Sequence, residues 1–179
     1  MAKVIGDIRA HMKLLDDRAA SRHLDADDQL ARLVGRVGPI ASTARRQEAI
    51  RRVGAATFAW LEGLHQSPEQ IFIQVADERL RQRKLFAAHK LPFRVDSADI
   101  GWPLKLRVLA EEIGEVAAAV DHLDAHPQSR KHRNHLVEEL IQVAAVAVAW
   151  LESFEGTTNR DLAEPRSAAA PATSPIQAS

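Results

Sequence analysis

Two segments of the chain carry carboxylates in the same pattern. Residues 111–116 read EEIGEV and residues 138–143 read EELIQV. Both segments have the apolar periodicity of a helix, and at about 100° per residue Glu112 and Glu139 fall at the edges of the apolar stripes. Two facing helices would therefore direct matching acids at one seam. Unpaired carboxylates beside an apolar stripe are costly, and an oxygen-seeking cation such as Mg²⁺ would remove that cost.

The alternative is that these acids lie on solvated helix surfaces. Glutamates three residues apart are common on helices and usually pair with lysine or arginine there. Segments 109–121 and 137–152, however, contain no lysine or arginine that would neutralise the acids. Because the same angular arrangement occurs twice, we expect a divalent metal to bind at this seam.

Composition limits the possible classes of function. A chain of 179 residues can form one domain or two small ones. Lysine plus arginine equals aspartate plus glutamate, 24 of each, so no overall positive field favours nucleic acid. The absence of cysteine excludes disulfides, thiolate zinc sites and a cysteine nucleophile. We find no signal peptide and no uncharged stretch of membrane-spanning length, and we expect a soluble, cytoplasmic protein.

Prolines and small polar residues divide the chain into about six helices, and no strand-like alternation is present. The sequence Ser-Pro-Glu-Gln at 67–70 predicts a helix start, with serine as the cap and glutamine closing a capping box. After Phe154 the composition changes to alanine, serine, threonine and proline, which predicts a disordered tail. The predicted helices run over about 3–20, 24–38, 43–64 and 67–90, and two more open near Pro103 and Pro127.

An internal repeat relates the two halves of the chain. Residues 48–64 align with 138–154 with seven identities in 17 positions, and 30–37 align with 109–116. The positions aligned with 111, 112, 115, 139 and 142 are Arg32, Leu33, Arg36, Ala49 and Arg52. We interpret the first half as a copy that retained its packing and lost its metal site. The alternative is that two alanine-rich helices converged on similar packing.

The acidic pattern resembles that of a known family. An EExxE motif followed by ExxD on a second helix is the signature of the MazG-like, all-α nucleoside triphosphate pyrophosphohydrolases. Residues 112–115 match ExxE, Glu139 matches the first acid of ExxD, and Gln142 stands where the family has aspartate. The resemblance covers about 78–152 and is greatest to a phage-borne branch, in which a segment such as 78–86 precedes the acidic helices.

The resemblance implies hydrolysis of an NTP or dNTP between the α and β phosphates, giving a nucleoside monophosphate and pyrophosphate. Carboxylates alone would repel a triphosphate, so we expect Mg²⁺ or Mn²⁺ to bridge protein and substrate. The expected metal ligands are Glu112, Glu115, Glu139 and, as a neutral oxygen ligand, Gln142. Either Glu111 or Glu138 would orient a ligand or act as general base.

Cations and aromatic residues near the seam are candidate substrate contacts. The candidate phosphate ligands are Lys105, Arg107, Arg130, Lys131 and Arg133, although a solvated helix start explains the last three equally well. Trp102 and Phe86 could stack on a base, and each fits a core position at least as well. The histidines between the acidic helices fit a solvated linker better than a zinc site; they are His122, His126, His132 and His135.

We therefore predict an all-α bundle of two tandem three-helix units. Residues 1–66 would form the degenerate unit, 67–155 the unit with the metal site, and 156–179 the disordered tail. Family members commonly build the site between subunits, so we expect a homo-oligomer or an intrachain pseudo-dimer, without a nucleic-acid or membrane partner. The leading function is a metal-dependent nucleotide pyrophosphohydrolase. The alternative is a non-catalytic MazG-like protein that binds nucleotide or a protein partner.

Overall fold

A computed structural model of the chain describes residues 3–4, 6–8, 10, 25–64 and 66–163. These residues contain no β-strand, and those described between 3 and 10 are helical, which confirms the all-α class. Five α-helices have defined bounds: α1 Ala26–Gly35, α2 Arg46–Gly63, α3 Pro68–Ala87, α4 Trp102–Ala125 and α5 Arg130–Ala163. Two short 3₁₀ turns, Gly38–Ala41 and Thr43–Arg45, connect α1 to α2.

Side-chain caps and one left-handed residue define the ends of α3. Ser67 Oγ accepts a hydrogen bond from the Gln70 amide at 3.2 Å, and Gln70 Oε1 accepts one from the Ser67 amide at 3.1 Å. The predicted capping box is thus confirmed. At the other end His89 has φ 55°, and the Lys90 amide donates to the Leu85 carbonyl at 2.9 Å. This closure ends α3 at Ala87, earlier than predicted.

The last helix, α5, is the centre of the bundle. It packs against α4, α2 and α3, while α1 contacts α2 and α4. Every residue from 143 to 151 is buried, which is the pattern of a helix surrounded on all sides. Core residues from 1–66 and 67–155 form one cluster, so the two predicted units share a core. The helix also continues past the predicted tail boundary to Ala163; residues 164–179 lie outside the described part.

Residues that the repeat aligns have similar burial in α2 and α5 but not in α1 and α4. Trp60 and Trp150, which align, are both buried, with 4% and 1% of their surface exposed. In contrast, Val34 is 51% exposed although its aligned partner Ile113 is buried at 6%. Leu33 fills the core instead. The buried face of α1 is therefore rotated relative to the face that the alignment predicts.

A buried ion cluster fastens the loop between α3 and α4. The Arg79 guanidinium, 3% exposed, donates to Asp96 at 2.8 Å and to Glu152 of α5 at 3.1 Å. Arg94 also donates to Asp96, at 2.7 Å. Burial alone would raise the pKa of Asp96, but the hydrogen bond from Arg94 and the charge of Arg79 outweigh it and lower the pKa to about 2. The loop is thus held against both α3 and α5.

Breaking this cluster should destabilise the fold. Asp96→Ala leaves Arg79 buried with fewer partners, and we expect the free energy of unfolding in urea at pH 7 to fall by about 3 kcal/mol. Because the pKa of Asp96 is lowered, its contribution is present above pH 3.8 and is lost as the pH falls through 2. The control Lys3→Ala breaks an exposed ion pair with Glu155 and should lower the free energy of unfolding far less. Equal costs would contradict a stabilising role for the cluster.

Candidate metal centre

Three carboxylates converge between α4 and α5. Glu112 and Glu115 lie one turn apart on α4, and Glu139 lies on the facing side of α5. One oxygen from each lies within 4.8 Å of the other two. No other set of three His, Asp or Glu side chains in the described ranges comes this close. We call these three residues the acid trio; they are three of the four predicted metal ligands.

The acid trio is electrostatically strained. Burial, followed by the charges of Glu115 and Glu139, raises the pKa of Glu112 to about 7. Its Oε2 is buried and accepts no hydrogen bond from the described residues. Burial and the charge of Glu115 also raise the pKa of Glu139. A bound cation would reduce the repulsion between the carboxylates and would also coordinate the unpaired oxygen of Glu112.

The donor set fits a hard divalent cation. All three side chains offer carboxylate oxygens, which suit Mg²⁺, Mn²⁺ or Ca²⁺ rather than a thiophilic metal. Oxygens around one Mg²⁺ lie about 3 to 4 Å apart, given bonds of about 2.1 Å. The separation of up to 4.8 Å within the acid trio therefore needs only a small contraction.

Two neighbours on α5 orient Glu139. Gln142 Nε2 donates to Glu139 Oε2 at 2.6 Å, and His135 Nδ1 lies 3.3 Å from Glu139 Oε1. The amide nitrogen of Gln142, rather than its oxygen, thus faces the carboxylate. Of the two predicted general bases, Glu138 has a side chain that is 74% exposed, and Glu111 is also exposed. Both lie beside the acid trio in sequence without joining it.

One cleft of about 290 Å³ is lined by both acids and arginines. Glu112 and Glu115 of the acid trio line it together with Gln142, whereas Glu139 is not part of its lining. Loop residues 91–96 also line it, with an arginine wall that we define as Arg79, Arg81, Arg83 and Arg94. The cleft therefore brings together carboxylates, which suit a divalent cation, and guanidinium groups, which suit an anion.

The arginine wall is held in place by acidic partners. Arg81 donates two hydrogen bonds to Glu78, at 2.5 and 2.8 Å. Arg83 lies 3.3 Å from both Asp96 and Glu152, the acids that also bind Arg79. The Arg83 side chain is nevertheless 46% exposed, so part of it is accessible from solvent. These pairs orient the arginines without removing all of their donors.

The structure places the predicted substrate contacts outside this cleft. Trp102 is covered by Arg46 of α2, whose guanidinium carbon lies 4.4 Å from the ring centroid. Phe86 lines a neighbouring cleft of about 470 Å³, with the Arg94 guanidinium 6.0 Å from its ring. Lys105 is buried, and burial lowers its pKa to about 8. The remaining candidates are exposed on α4 or at the start of α5: Arg107, Arg130, Lys131 and Arg133.

The arginine wall was not among the residues predicted from sequence. A signal was present in the basic run RLRQRK at 79–84. Arg79 and Arg83 are four residues apart and lie on one face of α3, whereas Arg81 lies on another face, so the run by itself does not group all three arginines. Arg94 lies in an irregular loop, whose path no periodicity predicts. The four arginines come together only in the folded protein, where Asp96 of the loop and Glu152 of α5 both bind Arg79.

The linker histidines form ring contacts but no comparable metal cluster. The His132 ring centroid lies 5.8 Å from that of His122 and 5.0 Å from that of His126. Their nitrogens do not converge as the oxygens of the acid trio do, within the part of the chain that the structure describes. His135 instead contacts Glu139.

No family model, curated protein or solved structure matches this chain. None of the described helices is both long and apolar enough to cross a membrane.

The strain at Glu112 predicts a pH-dependent stability in the absence of metal. The pKa of Glu112 rises from 4.5 to about 7 on folding. The contribution of this carboxyl group to the free energy of unfolding is therefore fully present below pH 4.5 and is lost as the pH rises through 7. In EDTA, the melting temperature of Glu112→Gln should fall less between pH 5 and pH 8 than that of the wild type. Mg²⁺ at pH 8 should stabilise wild type but not this variant.

The control for this experiment is Asp121→Asn, which removes an exposed acid from the same helix. It should follow the wild-type pH profile and retain stabilisation by Mg²⁺. Parallel profiles for wild type and Glu112→Gln, with equal responses to Mg²⁺, would exclude Glu112 from a metal site.

Proposed function

We propose that the protein is a metal-dependent nucleotide pyrophosphohydrolase that converts an NTP or dNTP to a nucleoside monophosphate and pyrophosphate. The main support is one cleft lined by the arginine wall and by Glu112 and Glu115, the two members of the acid trio on which Glu139 converges. A triphosphate bound through Mg²⁺ or Mn²⁺ needs both carboxylates and guanidinium groups. The sequence resemblance to MazG-like pyrophosphohydrolases supplies the reaction, and the geometry is compatible with it.

In this proposal the acidic side chains bind the metal and the basic side chains bind the phosphates. Glu112, Glu115 and Glu139 hold the cation, and Gln142 and His135 keep Glu139 in position. A bound Mg²⁺ or Mn²⁺ supplies neutralisation of phosphate charge and acidification of an attacking water. Arg83 and Arg94, whose side chains are each partly exposed, donate to the phosphate oxygens of the substrate.

The attacking water needs a proton acceptor beside the acid trio. Glu111 and Glu138 remain the proposed candidates, because each is adjacent in sequence to a trio member and is exposed enough to exchange protons with solvent. Hydrolysis then breaks the bond from the α phosphorus to the α–β bridging oxygen, and pyrophosphate leaves. The arginine wall stabilises the charge that develops on this leaving group.

A second candidate function is nucleotide binding without hydrolysis. The observation that favours it is the amide at position 142, where the family has a carboxylate. Gln142 donates to Glu139 and so occupies part of that ligand's hydrogen-bonding capacity. A site with one fewer charge holds its metal less tightly.

Pyrophosphate release distinguishes the two functions. We expect purified protein with Mg²⁺ or Mn²⁺ to release pyrophosphate from at least one member of a panel of NTPs and dNTPs. Glu112→Gln and Glu139→Gln should each lower kcat/KM by more than about 100-fold, because changes merely adjacent to metal ligands already cost about 10- to 100-fold. Asp121→Asn should retain wild-type activity. Saturable nucleotide binding with no pyrophosphate release under either metal would instead establish the non-catalytic function.

Gln142 offers a separate test of the metal side. Gln142→Glu places a fourth carboxylate beside the acid trio, and the added attraction is bounded by about 4 kcal/mol at an effective dielectric of 20. We expect tighter Mg²⁺ or Mn²⁺ binding by calorimetry. The variant Gln142→Asp tests whether a carboxylate on a shorter side chain still reaches the metal. The control Gln47→Glu adds the same charge at an exposed position on α2. Metal binding unchanged in both position-142 variants would remove Gln142 from the site.

A further inference from the structure

A separate cleft lies between α1 and α2, in the half of the chain without the acid trio. Its volume is about 480 Å³, within the range of about 300 to 1,000 Å³ that small-molecule sites occupy. The end of α1, the 3₁₀ turns and the first turns of α2 form its walls. The lining residues are Gly35, Arg36, Pro39, Ala44, Arg45, Glu48, Ala49 and Arg52.

The charged groups of this cleft are predominantly positive. Arg36, Arg45 and Arg52 contribute three guanidinium groups, and Glu48 contributes one carboxylate. Arg52 pairs with Glu48 at 3.0 Å, but both side chains are substantially exposed, at 51% and 41%. Such a pair is weakly held, so Arg52 can exchange Glu48 for a stronger acceptor. Arg45 is exposed at the start of α2.

In sequence, three residues of this cleft align with the acidic seam: Arg36, Ala49 and Arg52 align with Glu115, Glu139 and Gln142 respectively. The alignment is one of sequence, because the buried face of α1 is rotated relative to that of α4. The aligned positions carry no carboxylate in this cleft, so its arginines favour an anion rather than a cation.

We infer that the cleft between α1 and α2 binds a phosphate-bearing small molecule through Arg36, Arg45 and Arg52. A phosphate or pyrophosphate group has enough oxygens to accept hydrogen bonds from three guanidinium groups at once. Arginine also matches the geometry of phosphate oxygens in a bidentate manner. The inference does not depend on hydrolysis at the acid trio, because the residues of the two sites are distinct.

Amide chemical shifts of the full-length, metal-free protein test this inference directly. Titration with inorganic phosphate, pyrophosphate and a nucleoside monophosphate, at constant ionic strength, should give saturable shifts at residues 35–36 and 44–52. Pyrophosphate should bind most tightly because it carries the most phosphate oxygens. Additional shifts with the monophosphate alone would show that the site also contacts a nucleoside; identical shifts with monophosphate and phosphate would show that it contacts only the phosphate. Both results support the inference.

Charge-removing variants separate this site from the arginine wall. Arg36→Gln and Arg52→Gln should each weaken pyrophosphate binding at residues 35–52 by about tenfold or more, the effect expected of one lost charge-assisted hydrogen bond. Shifts at 79–96, from any binding at the arginine wall, should persist in both variants. Arg45→Gln serves as a further variant, because Arg45 is exposed and its replacement cannot disturb the core.

Lys84→Gln is the control matched in charge, since Lys84 is exposed on α3 and lines none of the clefts described above. It should leave pyrophosphate binding at 35–52 within twofold of wild type, roughly the error of such a titration. The inference is wrong if no saturable shifts appear at 35–52 with any of the three ligands. It is also wrong if the shifts appear but are equally strong in Arg36→Gln, Arg45→Gln and Arg52→Gln.

Discussion

The mutual repulsion of three carboxylates at one helix seam is the constraint on which the rest of this structure depends. Glu112 carries a buried oxygen without a donor among the described residues, and its neighbours Glu115 and Glu139 add to the cost of ionising it. A fold retains such an arrangement only if its packing is stable enough to hold the acids together. The packing of α5, surrounded by α2, α3 and α4, provides that stability.

The same helix joins the acid trio to the arginine wall. Glu139 and Glu152 both project from α5, and Glu152 binds Arg79 and Arg83 of α3. The loop carrying Arg94 is fixed through Asp96 to Arg79. The helix α5 therefore carries one acid of the trio and the partner of two arginines, while Glu112 and Glu115 are held on α4, which packs against it. Binding a cation and an anion simultaneously requires a fixed spacing between the two groups, because each charge contributes most when the other is already in place.

How much was predictable from sequence differed between elements for physical reasons. Apolar periodicity located Glu112 and Glu139 at the seam, because burial on a helix depends mainly on local angular position. The capping box at Ser67 was equally local. The complete arginine wall was not predictable, because Arg94 joins Arg79 and Arg83 only through a loop residue, Asp96, and a long-range contact with Glu152 holds the two helical arginines. Trp102 was proposed to stack on a base, and no local pattern indicated that Arg46 would cover its ring.

The two halves of the chain show which positions of a repeat are free to change charge. The buried positions of α2 and α5 keep their apolar character, as at Val53 and Val143, because a charge there would lack any partner. The seam positions border solvent-filled clefts, so a guanidinium at Arg52 and an amide at Gln142 are both tolerated on the same packing. Stability therefore constrains the core positions of each half, whereas a position that borders a cleft can carry a charge without the cost of burying it.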